Sequence, residues 1–393
     1  MQLTAAGIVG IGAVSGYGWG MKELWSGLAT GESSARLHHG LGGRFPDPCW
    51  FARVPEGGDP EVGHTRYVRA AFAAADEAVT DALARGWTPG ERVAIVHATT
   101  RADLELVRNR YLDPGWISPR SSYVEQTWTT PPALVMIKYG FTGPSVVTSA
   151  ACSSGLHALT LAQRLLTCGD ATDVIVTGAD VGFDGEEMRL GASVGPLIHD
   201  RPPHEVCRPF QKGTRGFVLG EGAAALVLTP ARQAQPYLEL LSSCLANDAF
   251  HPVAIEPSFR HILTTVDDAL GRAGVRAADI GYYNAHGTGT RECYDADLAA
   301  LGRLGPRATA YGFKPMFGHS MGAAPLLDTV TTARAHEEGV LPAPVPAAGD
   351  AHSQLAPGAV AHTGGLTLQV GLGFGGNICA AVFRAPTGEG SSR

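Results

Sequence analysis

Thr148-Ser149-Ala150-Ala151-Cys152-Ser153-Ser154-Gly155 sets an apolar, β-branched run directly against the start of a helix, with a cysteine at the turn. A thiol there faces unpaired backbone N–H groups and the positive end of the helix dipole. Both favour the thiolate, the form that attacks carbonyls. Its small neighbours let a bulky acyl group approach. The helix that follows carries Leu156, Leu159, Ala162 and Leu166 at helical spacing, which gives it an apolar inner face. Strand into helix recurs along the chain, so an α/β fold with covered sheets is expected. Strands are expected at 6–11, 93–97, 146–149, 174–177, 223–228, 281–284, 366–370 and 378–383. Helices are expected at 21–28, 67–84, 102–109, 132–138, 153–166, 259–273, 295–301 and 321–336.

Two further segments suit such a nucleophile: Asn284-Ala285-His286-Gly287-Thr288-Gly289-Thr290 and Lys314-Pro315-Met316-Phe317-Gly318-His319. His286 and His319 each sit beside glycine, in turns where a ring can project into a cavity. A cysteine with two such histidines points to thioester chemistry. The histidines are far apart and lack a close second ligand, which disfavours a metal site. Thr288 and Thr290 place hydroxyls on one loop, suited to a polar, extended substrate arm. Cys168, Cys207, Cys244 and Cys379 are read as buried packing residues. His38, His39, His199, His204 and His251 are read as solvated or structural.

Two glycine patterns need separating from dinucleotide loops. Gly10-Ile11-Gly12-Ala13-Val14-Ser15-Gly16 narrowly misses GxGxxG, because Ser15 takes the third glycine's place. Gly371-Leu372-Gly373-Phe374-Gly375-Gly376 matches it, but a strand-like segment follows where a helix is required. The second loop is expected to bring backbone N–H groups close to a reacting carbonyl, with Phe374 as a movable cover.

Of the 393 residues, 45% are apolar and 17% charged, which excludes disorder. The formal charge of -7 comes without any basic run, so nothing marks a nucleic-acid surface. The lysines are Lys22, Lys138, Lys212 and Lys314, and a scarce residue inside a motif singles out Lys314. Seven cysteines without a CxxC pair or a secretory signal imply a reducing compartment. No membrane-spanning segment is expected, and the location expected is the cytoplasm.

The stretch 229–236 divides the chain into halves, 1–232 with the cysteine and 233–393 with both histidines. The site should lie at their junction, so the halves are expected to form one packed unit. No short-period repeat is evident, and 386–393 is expected to fray.

Taken together in order and spacing, these segments resemble the β-ketoacyl synthases, specifically the elongating Cys-His-His condensing enzymes of the thiolase superfamily. The resemblance covers essentially the whole chain. It rests on Ser149–Gly155, Gly216-Phe217-Val218-Leu219-Gly220-Glu221-Gly222, His286–Thr290, Lys314 five residues before His319, Gly322-Ala323-Ala324 and Gly373-Phe374-Gly375-Gly376-Asn377.

It implies a duplicated thiolase fold in five layers, α/β/α/β/α, and a homodimer with its interface near the strand before Cys152. It implies an acylated Cys152, a decarboxylation pair His286 and His319, a motif lysine Lys314 and a gating Phe374. Asp328 stands where the family usually has the lysine's glutamate partner, and Glu221 and Asn377 take supporting places. Thr288, Thr290, Gly375 and Gly376 would line the pantetheine arm, and the N–H groups of Cys152 and Phe374 would hold the oxyanion.

The implied reaction is decarboxylative condensation of an acyl group with a malonyl thioester in a polyketide or fatty-acid-type pathway. No bound cofactor is implied; substrates ride on the phosphopantetheine of an acyl carrier protein supplied in trans. Arg66, Arg69, Arg208 and Lys212 are candidates to steer that acidic carrier. The alternatives are a thiolase-like or non-elongating acyltransferase, and a chain-length-determining partner of a heterodimer, which typically lacks the cysteine.

The chain departs from the family in Pro209-Phe210-Gln211-Lys212-Gly213-Thr214-Arg215-Gly216-Phe217, which loses both usual acids and displaces the arginine. It also departs at Pro315, Pro325 and Tyr294. These departures point to a specialised pathway.

Overall fold

In the first half, the sheet is built on five strands, β1 (Ala6–Ser15), β2 (Val93–Ala98), β3 (Ser145–Thr148), β4 (Asp173–Asp180) and β5 (Gly222–Thr229), and the two-residue strand Gly18–Trp19 pairs with the end of β1. The second half repeats the five as β6 (Leu238–Asn247), β7 (Ile280–Asn284), β8 (Thr309–Tyr311), β9 (Leu366–Gly373) and β10 (Asn377–Arg384). The spatial orders are β3-β2-β4-β5-β1 and β8-β7-β9-β10-β6. In each, the first two pairings are parallel and the last two antiparallel. The duplication is therefore one of topology. The two sets join where β1 pairs with β6, Ala6 opposite Leu240. This computed structural model describes residues 3–42, 48–113, 115, 120, 122–230, 234–342 and 350–386.

The helices repeat as well. After the first strand of each half come α1 (Arg66–Ala84) and α3 (Arg260–Ala273); after the third come α2 (Ser154–Cys168) and α4 (Ala324–Glu338). Alternate residues of β5 show the layering. Ala224, Leu226 and Leu228 face the central helices, where they join Leu156, Leu159, Leu326 and Val330. Ala223, Ala225 and Val227 face α1. On β10, Cys379, Ala381 and Phe383 point to the centre, and Ile378, Ala380 and Val382 to Ile262 and Val266 of α3. The five layers are those expected. Strands covered on both faces read as continuous apolar runs.

Close packing accounts for the first glycine pattern. A Cβ on Gly10 would lie 2.1 Å from the Ala78 carbonyl oxygen, and one on Gly12 2.1 Å from that of Ala74. The pair lets α1 lie directly on β1.

The elements not expected share a weak local signal. β6 contains no β-branched residue and is a strand because β1 and β10 flank it. β8 has three residues. The helix Gly185–Val194 carries two glycines but is capped by Asp184, whose carboxylate accepts the Glu186 and Glu187 N–H groups. The helix expected at 295–301 begins at Arg291, because Thr290 caps it by accepting the Cys293 N–H. Cys207, Cys244 and Cys379 are buried as expected, whereas Cys168, at the last turn of α2, is exposed. The half boundary at 232/233 and the tail 387–393 lie outside the described residues. Among the described residues, no helix is long and apolar enough to cross a membrane.

Candidate active site

The loop between β3 and α2 turns through Ala151, whose φ of 50° lies in the left-handed region that alanine avoids. Serine hydroxyls hold it there. Ser154 Oγ accepts the Ala150 N–H at 2.8 Å and donates to the Ala151 carbonyl at 2.5 Å, and Ser153 Oγ donates to Ala150 at 2.8 Å. Cys152 is thereby raised just ahead of the first turn of α2. Gly373 lets the end of β9 run against this turn: a Cβ there would lie 2.5 Å from the Ala150 oxygen.

β7 delivers His286. The loop after it is anchored by Asp297, whose carboxylate accepts the Gly287 N–H at 3.0 Å, the Tyr283 hydroxyl at 3.1 Å and the Cys293 thiol at 3.1 Å. His286 Nδ1 accepts the Leu372 N–H at 3.3 Å. A nitrogen that accepts carries no proton, so this bond assigns the ring's hydrogen to Nε2.

His319 follows Gly318, whose φ is 71° and whose Cβ would meet the Gly220 backbone at 2.8 Å. Its own N–H and C=O are tied to Val218 and Gly220. The two imidazoles stand nearly perpendicular, with centroids 5.8 Å apart, and Phe217 lies edge-on to His319 at 4.7 Å. Behind them Lys314 Nζ is buried and meets Asp328 Oδ2 at 3.1 Å. The shorter acid therefore still reaches the lysine.

Cys152, His286 and His319 line one cavity of about 720 Å³, together with Thr288, Thr290, Phe374, Gly376 and Asn377. Burial pushes both histidines well below their ordinary value, and the Lys314 charge pushes the same way. The imidazoles are neutral donors at neutral pH. The helix start favours the thiolate, whereas burial pushes the Cys152 thiol up to about 12, with Lys314 pulling against that rise. Enclosure in protein and the helix terminus thus act on the sulfur in opposite directions.

The second glycine pattern is the β9–β10 hairpin. Gly375 and Gly376, at φ of 80° and 74°, turn the chain, and Asn377 Nδ2 holds the Phe374 carbonyl at 2.8 Å. Phe374 at the tip lines the cavity and is 42% exposed.

Other expected residues lie elsewhere. Glu221 is fully buried and accepts the Val54, Gly182 and Phe183 N–H groups and the Arg66 guanidinium at 2.6 Å. It ties strands and loops together outside the cavity. Arg66 is 2% exposed, so it cannot meet a carrier protein. Stranding one member of such a buried pair costs about 3–5 kcal/mol. Arg69 is also mostly enclosed, with Nε donating to the Thr65 carbonyl. Lys212 is exposed, and Arg208 Nη2 donates to its carbonyl; neither lines the Cys152 cavity.

The cavity contains the displaced motif arginine, Arg215, and residues that the motifs did not mark: Arg101, His251 and Met321. His251, expected to be solvated or structural, lines the cavity. Met321 Sδ is 4.0 Å from Cys152 Sγ, and its position two residues after His319 is the one signal that could have found it.

The model of the β-ketoacyl synthase N-terminal domain matches residues 64–234, and that of the C-terminal domain matches 237–347. The tetracenomycin polyketide synthase ketoacyl synthase alpha subunit of Streptomyces glaucescens is 31% identical over 96% of this chain and 96% of that protein. The 3-oxoacyl-(acyl-carrier-protein) synthase 2 of Rhizobium meliloti is 30% identical over 97% of this chain and 99% of its own length. The fold is shared with a chain from the solved complex of a ketosynthase with its chain length factor from Xenorhabdus doucetiae. That match has a TM-score of 0.84 at 22% identity, over 98% of each chain. Domain models in tandem and relatives aligned end to end lead to one conclusion: the chain belongs to the β-ketoacyl synthase family.

Proposed function

We propose that the protein is a β-ketoacyl-carrier-protein synthase in which Cys152 takes an acyl group from a carrier-bound thioester and His286 and His319 drive its condensation with a malonyl unit. The carrying observation is that one thiol and two neutral imidazoles share a cavity, with the His286 hydrogen assigned to Nε2. In the first step the Cys152 sulfur forms a thioester, the pantetheine–acyl bond breaks, and the thiol proton leaves with the departing pantetheine sulfur. Backbone N–H groups of Cys152 and Phe374 hold the oxyanion, where one donor is worth about 3–4 kcal/mol.

In the second step the malonyl thioester loses CO2 and its oxygen becomes an enolate, to which the two imidazoles donate. Lys314, held by Asp328, fixes the field behind them. The enolate carbon attacks the acyl-Cys152 carbonyl and expels the thiolate, which takes up one proton. Thr288, Thr290 and Gly376 line the path of the pantetheine arm, Gly375 shapes its turn, and Arg208 and Lys212 remain as carrier contacts. Residues 1–232 and 233–393 act as one unit, because the cysteine comes from one half and both histidines from the other.

Purified protein supplied with acyl- and malonyl-carrier protein should release one CO2 per carrier lengthened by two carbons, measured by gas release and carrier mass. Acyl exchange or hydrolysis without CO2 would place the chain among the thiolase-like or non-elongating enzymes instead.

We further propose that a second copy of this chain covers β3. Among the described residues that strand pairs only with β2, and it is partly exposed, unlike its buried neighbours. Exposed Leu112, Tyr123 and Ile137 lie on the segments leading to it. A bare edge of this kind needs a partner. Light scattering should give a dimer; a monomer would overturn the proposal, and dimerisation only with a ketosynthase-like second protein would replace it with a heterodimer.

A further inference from the structure

Arg101 stands in the wall of the Cys152 cavity, beside Leu190, Val194, Leu197 and Met321. Its position is built. β4 ends in Asp180, whose buried Oδ1 accepts the Thr99 hydroxyl at 3.1 Å, the Thr100 N–H at 3.0 Å and hydroxyl at 2.8 Å, and the Arg101 N–H at 3.3 Å. The other oxygen accepts the Gly322 N–H at 2.8 Å, tying the same turn to the His319 segment. Ala102, at φ 54°, is held in the left-handed region by its N–H bond to Thr99 Oγ1. Asp103 then caps the helix Leu104–Leu112 and accepts the Thr65 hydroxyl. A turn satisfied from three sides fixes the backbone of Arg101, and the half-exposed side chain leaves it at the cavity wall.

The guanidinium itself makes no hydrogen bond among the described residues. Its nearest carboxylate is Glu187, 3.7 Å from Nη2 and beyond hydrogen-bonding distance. Its charge reaches the Cys152 sulfur, where it opposes the effect of burial. Arginine stays protonated at any relevant pH and presents five donors. A hydrocarbon chain laid along this wall would displace water from those donors and return nothing, whereas an oxygen-bearing chain would replace it.

Building on the proposed reaction, we infer that Arg101 selects the acyl group loaded on Cys152, favouring chains with a hydrogen-bond-accepting oxygen, keto or carboxylate, within the first few carbons. It acts as a specificity determinant of the acyl pocket.

The test uses the full chain with three four-carbon pantetheine thioesters, butanoyl, 3-oxobutanoyl and succinyl, and follows the Cys152 adduct by intact mass. Because the thioesters differ in intrinsic reactivity, the readout is the ratio of each oxygenated rate to the butanoyl rate. Arg101→Leu should lower at least one ratio by about tenfold relative to the unaltered protein. Arg101→Lys should retain part of it. Whichever ratio falls further names the oxygen recognised. Glu187→Gln, which removes the competing carboxylate, should raise the same ratio and serves if the leucine variant does not fold. Ratios unchanged to within about twofold in these variants overturn the inference while leaving the reaction standing. No adduct with any thioester overturns the reaction, and the inference with it.

Discussion

Cys152→Ala should lose acyl transfer by a factor on the order of 10⁴ or more, the scale on which nucleophile removal acts. The two cysteines nearest the cavity are poor substitutes. Cys293 also lines the cavity, but its Sγ is committed to Asp297 at 3.1 Å, and burial pushes it well above its ordinary value. Cys207 donates to the Thr288 carbonyl and is pushed up to about 12. Intact-mass analysis with an acyl-carrier protein should therefore show one adduct on the unaltered chain and none on the variant. The substitution removes a sulfur from a turn held by Ser153 and Ser154, so the fold should persist. An adduct of equal yield on Cys152→Ala would sink the assignment of the nucleophile.

His286→Ala and His319→Ala should split the reaction. Each should still acylate Cys152, while CO2 release falls by about 10²- to 10³-fold, as expected when a donor to a developing oxyanion is removed. The pH dependence follows from the same burial. Both rings are pushed well below the ordinary histidine value, so the neutral donor persists as the pH falls, and protonation begins only well below about 6.5. The decarboxylation rate should hold level between about pH 8 and about pH 6, measured as CO2 release from malonyl-carrier protein. A rate that halved near pH 6.5 would show rings open to solvent. Loss of acylation in both histidine variants would contradict the division of labour.

The covered α/β architecture was legible because strands buried on both faces are apolar throughout and their helices show a clean period. β6 was not, since Leu238–Asn247 lacks β-branched residues and becomes a strand only through its flanking neighbours. The motif residues were legible because glycines and a cysteine at helix starts carry local conformational meaning. Arg66 was misread as a carrier contact: a charge on a helix's first turn looks solvated until the Val54 carbonyl and the Glu221 carboxylate close over it.

By itself, the order of residues determined the turn that lifts Cys152, the glycine-flanked loops that present both imidazoles, and the partition of the groups between two halves. Those depend on φ preferences and caps acting over a few residues. Only the tertiary structure decided that burial works against the Cys152 thiolate, that His286 Nδ1 is an acceptor, and that Arg101 stands in the wall of the Cys152 cavity. Each depends on dielectric enclosure or a hydrogen bond supplied from far along the chain, which no short window of sequence contains.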